Sequence, residues 1–394
     1  MGRFVVTNAS VVLGDRVVAD GAVEVEGTRI RRVSSMHDAG ERSDARVIDA
    51  GGRLLAPGFI DLHIHGAHAH GVDDGVEALR ALCGLLPRYG VTGFLPTVTP
   101  RPHDAHVRLL SALAQAEVDA GACVLGVHLE GPYLALQGAL PPGLDTPPSG
   151  ADVHALIEAA KPLRAIFSIS PEVEGICDVI PLMTGGGAPV FITHTAANVD
   201  ETRAAIDAGA RHATHFYDVF PCPTVVERGV RPCGAVEAIL ADDRVSVDFI
   251  LDGTHVDPVA VKLALGCKGP HGVCLTTDAV IGAGLPPGRH RFGGREVVFE
   301  RAGGPARLAD SGGLAGSGLT MDRSLQNAVR ILDVDLPQAA CMVSTAPARV
   351  LGLDRSKGQI AEGFDADMVL LDENLEAVMT WVGGTCVYSS DEQT

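Results

Sequence analysis

The chain has no Cys-x-x-Cys pair, and its nine cysteines (Cys83, Cys123, Cys177, Cys222, Cys233, Cys267, Cys274, Cys341 and Cys386) are odd in number and widely spaced. That pattern argues against a disulfide framework. Several of them lie in apolar runs, where the thiol behaves as a small hydrophobe, which suits a reducing compartment. Positive charge is also short: 31 Lys+Arg against 49 Asp+Glu leave a formal charge of −18. Nucleic acid and anionic membranes are therefore poor partners, although a few local arginines could still receive a small anionic substrate. No apolar run approaches the length of a membrane span, and the start, Met1 to Asn8, is too short in its apolar stretch for a signal h-region. The cytoplasm is the expected location. Internal repeats and low-complexity tracts are missing too.

What is present is a large apolar fraction, 46% of 394 residues, enough for one large domain and a small one. Residues 1–53 alternate apolar and polar positions, as in Ala22-Val23-Glu24-Val25, with Gly-Asp, Asp-Gly and Glu-Gly turns between runs. Residues 358–394 repeat the style, so the two ends are expected to form one small β-sandwich domain. Between them, residues 54–357 alternate buried-strand runs with helical stretches, the pattern of parallel β/α units. Eight strands are predicted: 54–65, 92–98, 123–130, 165–170, 189–195, 211–216, 245–251 and 272–278.

The chemistry sits at the ends of these strands. His63 and His65 are two apart, so a strand points both imidazoles to one face. Further candidate metal ligands follow at Glu130, His194, His215 and Asp278. The intervals are 65 residues from His65 to Glu130, 64 to His194, 21 to His215 and 63 to Asp278. A (β/α)8 barrel of ~250 residues averages about 31 per unit, so the ligands fall on strands 1, 3, 5, 6 and 8, all at C-terminal ends. A doubly wound sheet would not gather side chains from so many strands. A lone His or Glu at such a place is usually structural. Six converging ones favour a metal centre, since a buried carboxylate without a partner is costly.

These segments are similar to the amidohydrolase superfamily and, within it, to the N-acetylglucosamine-6-phosphate deacetylases. The resemblance is carried by Pro57-Gly58-Phe59-Ile60-Asp61-Leu62-His63-Ile64-His65-Gly66, by His128-Leu129-Glu130-Gly131-Pro132-Tyr133, and by Thr277-Asp278-Ala279. Asp252-Gly253-Thr254-His255 and Leu314-Ala315-Gly316-Ser317 add to it. It implies a (β/α)8 TIM-type barrel with a small β-sandwich. Glu130, His194 and His215 would hold one divalent metal, and His63 and His65 would allow a second, with Glu130 bridging and Asp278 adjacent. Zn comes first, with Fe, Mn or Co as alternatives. Asp278 would take a proton from water and return it to the departing amine of an N-acetyl amino sugar. N-acetylglucosamine 6-phosphate is the leading substrate and a homodimer the expected assembly.

Several positions depart from the family. Leu140, after Ala139, stands where the family often has a His. Asp218, followed by Val219, replaces an Asn near the sugar phosphate, where a carboxylate would repel it unless turned away. Arg228 or Arg231 could bind phosphate, in the family across a dimer interface, or could be solvated. His255 resembles a substrate-contacting His, and the Gly-rich run around Leu314 is expected as a loop over the sugar. His68 and His70 read as a solvated loop, and the stretch 134–150 as either a lid or a plain loop. The galacto epimer, an unphosphorylated sugar, and hydrolysis of cyclic amides or dipeptides remain as alternatives, as does a non-catalytic scaffold.

Overall fold

The computed structural model describes residues 2–35, 45–118, 120–142 and 146–390. Eight strands run parallel in chain order: Phe59–Ile64, Val91–Val98, Val127–Glu130, Ala165–Ile169, Val190–Ile192, His212–Ala213, Ser246–Ile250 and Val273–Thr276. Their residues are almost entirely buried, as expected of strands covered on both faces. A helix follows each strand, from Val76–Leu85 after the first to Met321–Asn327 after the eighth. The expected barrel is therefore the fold observed.

Local chemistry sets the helix ends. Before Val199–Ala208, Asn198 accepts hydrogen bonds from the backbone N–H groups of Asp200 and Glu201, and Glu201 accepts one from that of Asn198. This reciprocal cap satisfies donors that the first turn leaves free. Asp257 caps Pro258–Lys268 with proline at the first position, where no N–H is missed.

The ring closes between its last and first strands through side chains and through backbone bonds at the strand ends, from Asp278 N–H to the His63 carbonyl and from His65 and Gly66 N–H to that of Ala279. The buried Asp61 carboxylate accepts from Thr276 Oγ1 at 2.8 Å and Thr277 Oγ1 at 2.6 Å, and Ile64 bridges Ala279. Burial pushes the Asp61 carboxyl up to about 6, although the two threonines oppose the shift.

The strand expected over 54–65 divides at Gly58, whose missing Cβ leaves room for Thr92. Leu54–Pro57 belongs to the other sheet, parallel to Ser10–Val11 and antiparallel to Met368–Leu371. We propose Gly58, rather than residue 53, as the junction between the two units. That second sheet has eight strands from both ends of the chain, and Phe4 stacks on Trp381 across its core, centroids 6.2 Å apart. A third sheet went unforeseen: Gly288–Phe292, Arg295–Phe299, Pro305–Leu308 and Leu314–Ser317 form four antiparallel strands after barrel strand eight. The run around Leu314 is thus a strand edge rather than the expected loop. Among the described residues no helix is long and apolar enough to cross a membrane.

Candidate metal centre and cavity

His63, His65, Glu130, His194, His215 and Asp278 converge at the C-terminal end of the barrel. His194, His215 and Asp278 leave their strands with φ of 48°, 33° and 44°. Left-handed backbone is unfavourable for residues with a Cβ and is retained where side-chain aim matters. Here it turns the three side chains inward over the barrel mouth.

Glu130 is the hub. Its Oε1 lies 2.9 Å from His215 Nε2 and 3.3 Å from His194 Nε2. Its Oε2 lies 3.0 Å from His65 Nε2 and 3.6 Å from His63 Nε2. Asp278 Oδ1 is 3.5 Å from both His63 and His65. Each oxygen of one carboxylate thus serves its own pair of imidazoles.

The outer nitrogens fix the tautomers. His65 Nδ1–H donates to the Thr97 carbonyl at 3.1 Å, and His194 Nδ1–H to that of Leu136 at 2.9 Å. The Thr214 hydroxyl donates to Asp248, so its oxygen accepts from His63 Nδ1–H at 3.1 Å. Neutral rings held this way direct Nε2 lone pairs at the centre, and those of His63 and His65 lie only 3.1 Å apart. Glu130 Oε2 is buried with no hydrogen-bond partner. Two facing lone pairs and an unpartnered carboxylate oxygen are costly without a cation, so this donor set fits a divalent ion. When the imidazoles instead carry a second proton, His63, His194 and His215 face Glu130 as donors and hold its carboxyl well below the ordinary range against the opposing effect of burial.

A cavity of about 290 Å³ opens above the centre. Of the residues singled out from sequence, Ala139, Leu140, Asp218, Val219, His255 and Leu314 line it, beside His65, Glu130, His194, His215 and Asp278. Burial pushes the Asp218 carboxyl up to about 7. Arg228 and Arg231 do not line it: Arg228 is exposed, and Arg231 pairs with Glu237 at 2.8 Å. His68 hydrogen-bonds Tyr89 at 2.6 Å, apart from the ligand cluster.

Three carboxylates escaped the sequence reading as site components. Asp248 accepts from His212 Nε2 at 2.8 Å and from the His215 backbone, anchoring the turn that aims His215. Asp252 accepts from His255 Nδ1 at 2.9 Å, which points Nε2 of that ring away from it. Asp61 joins the barrel seam. The available signal was the same for all three: an acidic residue within or ending an apolar strand run.

Residues 318–388 match the amidohydrolase family. The chain is 36% identical to N-acetylgalactosamine-6-phosphate deacetylase of Escherichia coli O157:H7 over 86% of its length and 89% of the relative's. It is 30% identical to the human N-acetylglucosamine-6-phosphate deacetylase over 98% and 95%. The crystal structure of the Mycobacterium smegmatis N-acetyl-D-glucosamine-6-phosphate deacetylase superposes with a TM-score of 0.87 at 28% identity, covering 98% of this chain and all of that one. With the barrel, the centre and this near-full-length likeness together, the chain belongs to the N-acetylglucosamine-6-phosphate deacetylase family and is a metal-dependent carbon–nitrogen hydrolase of the amidohydrolase type.

Proposed function

We propose that the protein removes the acetyl group from N-acetylglucosamine 6-phosphate, releasing acetate and glucosamine 6-phosphate. The observation that carries this reading is the split Glu130 carboxylate, with His194 and His215 on one oxygen and His63 and His65 on the other, beside Asp278. In this reading Glu130, His194 and His215 hold one ion, and His63 and His65 provide for a second next to Asp278. Zn suits the His and carboxylate donors, with Fe, Mn or Co as alternatives. A divalent ion bound there supplies an acidified water and polarises the acyl oxygen.

The chain's own residues supply the rest. Asp278 stands at the cavity floor, where its carboxylate takes a proton from the attacking water and hands it to the leaving amine. The sugar lies above it, with His255 Nε2, buried and unpartnered in the protein, presented to a hydroxyl or the acyl oxygen. Leu140 and Val219 shape the apolar walls. Among the described residues no Lys or Arg lines the cavity, so the phosphate reaches out of it toward the loop carrying Arg228 and Arg231, in this reading from a second subunit of a homodimer. The proposed setting is the cytoplasm.

A second reading, the galacto epimer, is favoured by the 36% identity to the Escherichia coli O157:H7 relative. Acetate release from the 6-phosphates of N-acetylglucosamine and N-acetylgalactosamine, and from free N-acetylglucosamine, separates the alternatives, with chelated protein as control. Preference for the first supports the proposal. Preference for the second moves it to the epimer, and activity on none of them sinks it.

A further inference from the structure

Two cavities meet at one aromatic side chain. The first is the cavity over Glu130 and Asp278. The second, about 280 Å³, is bordered by Gly71, Thr99, Pro141 and Ile281, with the charged Asp73, Asp74 and Arg291 also on its wall. His65 and Phe292 border both. The Phe292 ring lies 4.9 Å from the His65 ring, centroid to centroid, at 58°. It stands at the end of Gly288–Phe292, on a hairpin rooted by Val297 and Phe299 in their own small core. The backbone carrying the ring is anchored, while the ring itself is only half-buried.

The position of this partition relative to the reacting centre gives it meaning. His215 and His194 flank one oxygen of Glu130, and Asp218 follows on the His215 side, its N–H bonded to the His215 carbonyl. His65 flanks the other oxygen, with Phe292 against it. The polar groups suited to sugar hydroxyls and the aromatic wall therefore lie on opposite sides of the carboxylate. A substrate with its ring toward Asp218 and His255, and its amide over Glu130 and Asp278, directs its acyl tail at Phe292.

Resting on the deacetylase reading, we propose that the second cavity is an acyl-side chamber and that Phe292 sets the acyl length the enzyme accepts. With the ring in place an acetyl methyl fits, and each further methylene runs into it. The chemistry is unchanged: water's oxygen bonds the acyl carbon, the C–N bond breaks, and the amine departs with the proton, leaving a carboxylate. Removing the ring joins the chamber to the site.

The test compares kcat/KM for N-acetyl-, N-propionyl- and N-butyryl-glucosamine 6-phosphate in the wild type, Phe292→Ala and Phe292→Leu. The butyryl-to-acetyl ratio is expected to rise about tenfold in Phe292→Ala, the lower end of what extra methylenes gain in a hydrophobic pocket because Asp73, Asp74 and Arg291 share this wall, and partway in Phe292→Leu. A ratio equal to that of the wild type overturns the proposal. Calorimetric binding of butyrate and acetate to the folded, metal-loaded proteins is the second measurement, and it stands even for a variant without turnover. There Phe292→Ala is expected to shift preference toward butyrate, and unchanged preference overturns the proposal. Absence of turnover by the wild type on all three amides would count against the deacetylase reading alone, since the carboxylate preferences still decide the role of Phe292.

Discussion

The barrel and the sheet built from the chain ends bury their interiors on opposite terms. The sheet's core is Phe4, Val6, Val23, Val25, Leu55, Met368, Leu370 and Trp381, with Thr7, Asp367 and Thr380 as its few buried polar residues. The barrel buries Asp61, His63, His65, His128, Glu130, His194, His212, His215 and Asp248 among its strands. Apolar area holds both regions, the barrel through residues such as Phe94, Phe167 and Phe249 packed under its helices, but only the barrel also carries chemistry at a cost in desolvation. The comparison teaches that reactivity is confined to one part of the chain while the other serves stability alone, and substitutions can test the division.

Asp278→Asn should make the largest change. It keeps the side chain's shape and removes the base, so acetate release is expected to fall by about 10²–10⁴ with little change in melting temperature. A comparable loss of stability would show that the two roles are not separate. Trp381→Ala is the mirror case. It should cost about 3–5 kcal/mol in denaturant unfolding and leave kcat of the folded protein unaltered.

Asp218→Asn sharpens the contrast within the cavity. Removing a carboxylate from the substrate's side should lower KM for the phosphorylated sugar by fivefold to about tenfold, on the order of 1 kcal/mol, and change KM for the free sugar much less. Equal changes for both sugars would mean that Asp218 reads a hydroxyl instead.

The smallest effect concerns pH. Burial, with Arg101 nearby, pushes the His106 imidazole down to about 3 from an ordinary 6.5. The unfolded chain therefore binds a proton first as pH falls. The contribution is fully present above about 6.5 and is lost on the way down to about 3. His106→Gln should accordingly remove about 1 kcal/mol of the stability lost between about pH 7 and pH 5.5, read by chemical denaturation at both pH values.

The barrel was legible because its strands are continuous apolar runs at regular spacing, and each ligand ends such a run. His63 and His65 could be paired from the period of a strand alone. The sheet of residues 288–317 was not legible, since Arg289, Arg291, Arg295 and Glu296 alternate without a long apolar stretch and the Gly-rich segment resembles a loop. Gly58 hid the break between two strands, because Leu54 to Ile64 is apolar on both sides of it. The arginine loop stayed ambiguous for another reason: solvated and phosphate-binding guanidinium groups look alike until a cavity is seen. Here the cavity is lined without them.

The strand Leu54–Pro57 has one further consequence, in time rather than space. It pairs on one side with Ser10–Val11 and on the other with Met368–Leu371, more than 300 residues further on. At the ~5–20 residues per second of synthesis, its second edge waits many seconds for a partner while the barrel is still being made. An unpaired edge of Leu54, Leu55 and Ala56 is a site for mispairing during that interval. Newly made chains, rather than finished ones, should therefore depend most on chaperones.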